Sequence, residues 1–203
     1  MQRTLPGRAG PRHRSEMPWF CALRACSLTF VDMTADESAL LIPAPEAASL
    51  VEEFRRRYCP SAGAGVPPHI TIMGPFLDPI RLTSDLLRDL DHVFATTEAF
   101  EYALTEVREF EQGVLYLAPE PPLPFIHLTN AVIKRFGILP YGGAHSTIVP
   151  HLTVSQSAPI DERRRIAAIL KDVLPQALKA TEAWLMVGHN DRTWRRVHAS
   201  KFR

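Results

Sequence analysis

Apolar residues along this chain recur with two periods, and the switches between them mark out its elements. A short apolar run over 38–42 reads as a strand ended by Pro43 and Pro45. Ala47, Leu50, Val51, Phe54 and Tyr58 then recur at helical spacing, with Pro45 suited to the first turn. Arg55, Arg56 and Arg57 close that helix at the negative end of its dipole. A Gly/Pro/Ser-rich loop over 60–68 feeds an alternating strand that Gly74-Pro75 breaks. Thr83 and Ser84 suit the cap of a second helix with Leu86, Leu87, Leu90, Val93 and Phe94 on its apolar face.

The second half repeats this order with a hairpin in front. Strands near 100–107 and 114–118 flank a turn at Glu111-Gln112-Gly113. A proline-rich crossover over 119–124 leads to a helix through Ile126, Val132, Ile133 and Phe136, then to a loop marked by Gly137, Gly142 and Gly143. A second alternating strand follows, then a helix over 161–174 with Ile166, Ile169, Leu170 and Val173 inward. Segments 181–187 and 194–200 read as a closing hairpin around His189-Asn190-Asp191. Each half thus carries helix, Gly-rich loop and alternating strand in turn, an imperfect internal duplication. The expected fold is α+β: two pseudo-symmetric lobes, each an antiparallel sheet with outer helices, facing across a central cleft.

The two alternating strands say nearly the same thing. Pro68-His69-Ile70-Thr71-Ile72 and Pro150-His151-Leu152-Thr153-Val154 both run proline, histidine, aliphatic, threonine, β-branched aliphatic. A strand that buries Ile70 and Ile72 presents His69 and Thr71 together on its other face, and the second strand does the same with His151 and Thr153. Two imidazoles can divide proton removal and proton donation near neutral pH, while two hydroxyls donate to a developing phosphorane without adding charge. His127-Leu128-Thr129 and His145-Ser146-Thr147 match His-x-Thr as well. The first lies in a predicted helix, where residues two apart do not share a face. The second has Ser146 where an aliphatic core residue belongs.

Composition narrows the partners. With 46% hydrophobic and 22% charged residues the chain is an ordinary globular protein, and a formal charge of +1 gives no global pull toward nucleic acid or membrane. Cys21, Cys26 and Cys59 lack CxxC spacing and cannot close a disulfide framework, which fits free thiols in a reducing cytoplasm. No apolar run reaches the roughly 20 residues that a spanning helix needs. Residues 1–32 mix Arg3, Arg8, Arg12 and Arg14 with Pro and Gly, and are expected to be a disordered or dispensable extension before a domain over 33–203. A transit peptide or an upstream start codon would account for that composition.

With both motifs, their spacing and this alternation of elements, the chain resembles the 2H phosphoesterases, which include the 2′-5′ RNA ligase-like proteins and the cyclic nucleotide phosphodiesterases. The resemblance covers about residues 38–201 and implies two antiparallel lobes around a cleft. It also implies metal-independent, cofactor-free action on 2′,3′-cyclic phosphate or 2′-5′ phosphodiester bonds of RNA or nucleotides. It would make His69 and His151 the acid–base pair and Thr71 and Thr153 the binders of phosphate oxygens. Many relatives carry an arginine just before the second motif; here 144–149 has none.

Phe76 and Tyr141, beside the two motifs, are candidates for stacking a nucleobase, with core or loop packing as the other reading. Arg192, Arg195, Arg196, Lys201 and Arg203 make either a phosphate-attracting or a solvated edge. RNA ends or a small cyclic nucleotide are the expected partners, with no membrane, and the chain is expected to act as a monomer. Two other function classes compete. A catalytically silent RNA or nucleotide binder would keep the cleft without using both histidines. A metal protein could use His69, His145 and His151, but no acid or cysteine in either motif completes a usual ligand set.

Overall fold

The computed structural model describes residues 35–144, 147–189 and 191–203; the extension expected at 1–32, Met33 and the decoy at His145 lie outside the described residues. The strands are β1 (Ala35–Pro43), β2 (His69–Met73), β3 (Phe100–Glu109), β4 (Leu115–Glu120), β5 (Leu152–Ser155), β6 (Gln176–Ala180), β7 (Glu182–His189) and β8 (Trp194–Lys201). They form one curled antiparallel sheet in the order β6-β3-β4-β5-β2-β1-β7-β8. The two expected lobes are its halves, β6-β3-β4-β5 and β2-β1-β7-β8. They meet at a seam where the two motif strands pair through Ile70 and Leu152.

Alternation along the strands decides what each face does. On one face Ile70, Ile72, Leu152, Val154, Leu104, Leu117, Leu185 and Val187 join a core with the helices. Helix α1 (Ala48–Tyr58) supplies Val51 and Phe54, and α2 (Pro60–Gly63) is a single turn beyond it. Helix α3 (Ser84–Phe94) supplies Leu90 and Phe94, α4 (Leu123–Phe136) supplies Phe125, Leu128 and Val132, and α5 (Ile160–Lys171) supplies Ile166 and Leu170. Each such side chain, fully buried, contributes roughly 1.5–3 kcal/mol of transfer free energy. The opposite face carries a smaller cluster of Leu41, Val66 and Met186 with Trp184 and Trp194 against it.

Local chemistry explains several boundaries. Thr83 caps α3 as expected, its hydroxyl accepting from the Leu86 amide at 3.3 Å. Gly137 ends α4 in the left-handed region at φ 69°, where a side chain would be strained. Helix α5 stops at Lys171 rather than 174, and β6 follows where no strand was expected. Its residues Gln176-Ala177-Leu178-Lys179-Ala180 have little β propensity, and it exists because β3 offers it a complete ladder from Phe100 to Leu104.

The helices cross over between the halves. Helix α1 of the first half packs on β5 of the second, and α4 of the second packs on β2 of the first. Backbone bonds tie the same joints: Gln156 donates to the Tyr58 carbonyl at 3.0 Å and Tyr141 to the Gly74 carbonyl at 2.9 Å.

Candidate active site

Pairing at the seam sets the geometry. Ile70 faces Leu152 across the ladder, and both are fully buried on the helix side. His69, Thr71, His151 and Thr153 therefore turn to the other face, where all four line a cleft of about 1270 Å³. An antiparallel register running through that pair puts His69 opposite Thr153 and Thr71 opposite His151. The imidazoles stand on a diagonal, with Cβ atoms about 7–8 Å apart, and the hydroxyls occupy the other diagonal. A tetrahedral phosphate fits between such groups.

Both rings are anchored in the same way. His69 Nδ1 lies 2.7 Å from the Pro67 carbonyl and His151 Nδ1 lies 2.7 Å from the Val149 carbonyl, each two residues upstream. A carbonyl only accepts, so Nδ1 carries the proton in each ring and a neutral Nε2 keeps its lone pair for the cleft. Burial pushes His69 down to about 4, against the Pro67 bond, with the Arg55 and His151 charges adding to the fall. Burial also lowers His151, against its Val149 bond. Ordinary imidazole values near 6.5 are thus not kept here, and both rings are neutral at pH 7.

Similarity to known proteins bears on what such a site belongs to. The family model described as "2'-5' RNA ligase superfamily" matches residues 43–192, most of the chain and both motifs. The chain belongs to that superfamily. A Bacillus licheniformis protein named "Putative phosphoesterase" is 26% identical over 134 residues, 65% of this chain and 77% of its own length. A Geobacillus protein with the same name is 26% identical over 126 residues, 59% of this chain and 68% of its own. Escherichia coli LigT, solved with 3′-AMP, superposes with a TM-score of 0.52 at 14% identity, covering 83% of this chain and 98% of LigT. A Thermus thermophilus protein gives 0.50 at 17% identity, covering 81% and 97%. These two likenesses are of fold.

Around this motif pair, the other residues singled out in the sequence separate. Tyr141 lines the cleft, 47% exposed, on a backbone turn with φ 52°. Phe76 does not serve there: it is 6% exposed and edge-on to Phe136 at 5.2 Å, a core residue with no face left for a base. The decoy His127 is exposed on α4, while Thr129 is buried with its hydroxyl donating to the Phe125 carbonyl at 3.0 Å. Much of the basic C-terminus has local partners: Arg196 lies over the Trp184 ring at 4.5 Å, Lys201 pairs with Glu182, and Arg203 pairs with Glu98.

Three neighbours of the motif pair carry no local signal. Phe110 and Tyr116 both pack T-shaped on the His151 ring, with centroids 5.1 and 5.5 Å away, and stack on each other at 4.3 Å. Tyr116 pairs across the ladder with Thr153, which is why its ring reaches the site. Arg55 is the third. It closes α1 with Arg56 and Arg57 as expected, but it is 1% exposed and lines the cleft. Among the described residues, no three His, Cys, Asp or Glu side chains cluster to hold a metal ion, and no helix is long and apolar enough to cross a membrane.

Proposed function

We propose that this chain is a phosphoesterase that opens 2′,3′-cyclic phosphates or cleaves 2′-5′ phosphodiester bonds of RNA or nucleotides without a metal. The observation that carries this reading is the quartet at the seam: two identically anchored imidazoles on one diagonal and two threonines on the other, lining one cleft. One neutral imidazole takes a proton from water at Nε2 as the water oxygen bonds to phosphorus. The bond from phosphorus to the departing ribose oxygen breaks, and the other imidazole, protonated, gives that oxygen its proton. Thr71 and Thr153 donate to the phosphoryl oxygens as charge builds there. The product is a phosphomonoester, and the pair has moved one proton from one ring to the other, which solvent reverses.

The substrate fits the same logic. A cyclic phosphate is a monoanion, which can raise two depressed imidazoles without calling for a cationic clamp. The nucleotide bound by LigT supports an occupant of nucleotide size. Tyr141 is the residue proposed to stack a base, and 33–203, acting as a monomer in the cytoplasm, is the proposed working unit.

Turnover of nucleoside 2′,3′-cyclic phosphates in the presence of EDTA tests the reading. The expected result is turnover unaffected by the chelator. Loss of activity in EDTA with recovery on adding zinc would replace it by a metal mechanism, and tight binding without turnover would make the protein a silent binder.

A further inference from the structure

The motif strands hold their histidines alike but back them differently. In the last turn of α1, Arg55 Nη1 donates to Glu52 Oε2 at 3.0 Å, and Nη2 donates to the Val66 carbonyl at 3.0 Å. Val66 precedes Pro67, whose carbonyl takes the His69 Nδ1 proton. One guanidinium therefore holds the peptide unit next to the one that anchors the imidazole, and it sets a fixed positive charge that acts on that ring. The rings packed on His151, those of Phe110 and Tyr116, are neutral.

We propose that Arg55 is a positioning residue that divides the acid–base work: it braces the segment that anchors His69 and places a buried charge on that side of the pair alone, making His69 the general base and leaving His151 as the general acid. This inference rests on the phosphoesterase reading above. A guanidinium keeps its proton in proteins, so the charge is permanent even though burial lowers its own affinity. Glu52 does not cancel it: the Arg55 side chain is 2% exposed and that of Glu52 27%, so water screens the carboxylate more than the cation.

The other groups facing His69 do not supply such a charge. Cys59 is a buried thiol pushed up by burial and so neutral, His151 lies across the seam, and Glu37 and Glu111 are on the cleft walls. Burial is the largest cause of the low proton affinity of His69, and Arg55 adds to it. For His151 burial acts alone against the Val149 bond. A bound phosphate offsets the guanidinium only in the complex, which lets the neutral His69 ring hold the proton it takes from the attacking water.

The test is an NMR titration of both imidazoles in the free protein, paired with the pH profile of kcat/KM on a nucleoside 2′,3′-cyclic phosphate. Arg55→Gln keeps a donor for the Val66 carbonyl but removes the charge. It should raise the His69 titration by about one unit and move the acid limb of the profile with it, leaving His151 in place. Arg55→Lys should restore the original value. Should Arg55→Gln not fold, Glu52→Gln reads the same field with the opposite sign and should move His69 further down. An unmoved His69, or equal movement of both rings, overturns the proposal. Absence of turnover in the unaltered protein would instead overturn the phosphoesterase reading, which the titrations of the free protein do not depend on.

Discussion

The half of the sheet that holds His69 and the half that holds His151 share a five-residue motif, a carbonyl anchor two residues upstream and a place at the seam. What they share is local: a proline, an alternating strand and a backbone bond that a short sequence can encode by itself. What separates them comes from other elements of the fold. His69 has a buried guanidinium from α1 behind it, while His151 has two aromatic rings from the β3–β4 hairpin against it. A duplicated motif thus provides two equal groups, and unequal surroundings let those groups hold protons unequally. Acid–base catalysis by one pair needs that inequality.

The comparison breaks most readily at the rings themselves. His69→Ala and His151→Ala should each cut kcat/KM on a cyclic phosphate by roughly 10²–10⁴, the scale of positioned proton transfer. His127→Ala, on the exposed face of α4, should stay within about twofold; a loss there as large as at His151 would mean the wrong pair has been placed in the site. Next come the hydroxyls. Thr71→Val and Thr153→Val should each cost about 10²–10³ in kcat, as for one oxyanion donor, and their equality tests the diagonal symmetry. Steady-state kinetics on the five variants reads both effects.

The aromatic side is worth less. Phe110→Leu should lower kcat by roughly 3–10-fold, the equivalent of about 0.5–1.5 kcal/mol for one aromatic contact. It should raise the His151 titration by opening that ring to water while leaving His69 unmoved. A shift confined to His69 would contradict the assignment of surroundings.

The smallest effect is on stability. The His69 value of about 4 in the folded protein lies below the ordinary 6.5, so the unfolded chain binds the extra proton between those values. Stability should be fully present above pH 6.5 and fall by on the order of 1–3 kcal/mol as pH drops to 4, a slope that His69→Gln should remove from denaturation midpoints. For the same reason kcat/KM should peak on the acid side of neutrality, between about 4 and 6.5, rather than at 7.

Much of this arrangement was legible in the sequence because it is local. Apolar alternation placed β2 and β5 with the correct residues inward, and Thr83 announced the start of α3. The His-x-Thr decoy at His127 was separable because a helical period splits the pair between faces. Three features were not legible. Arg55 sits in a run of three arginines that nothing local tells apart, and the fold buries only the first of them. Phe110 and Tyr116 reach His151 through ladder register over some 40 residues, which no local pattern carries. Phe76 follows Gly74-Pro75 in a position equally consistent with a cleft or a core, and its contact with Phe136 decides for the core.

The crossed helices have a consequence for how the molecule can be divided. Because α1 covers β5 and α4 covers β2, neither copy of the duplicated unit closes its own interior. Cut between the copies, in the segment 95–99 that joins α3 to β3, the chain would yield two fragments that each lack the lid over their own motif strand. Neither should hold a native structure alone, and mixing them should restore one, as in split-protein complementation. The doubling visible in the sequence is therefore not a pair of folding units, and the smallest piece expected to fold holds both copies.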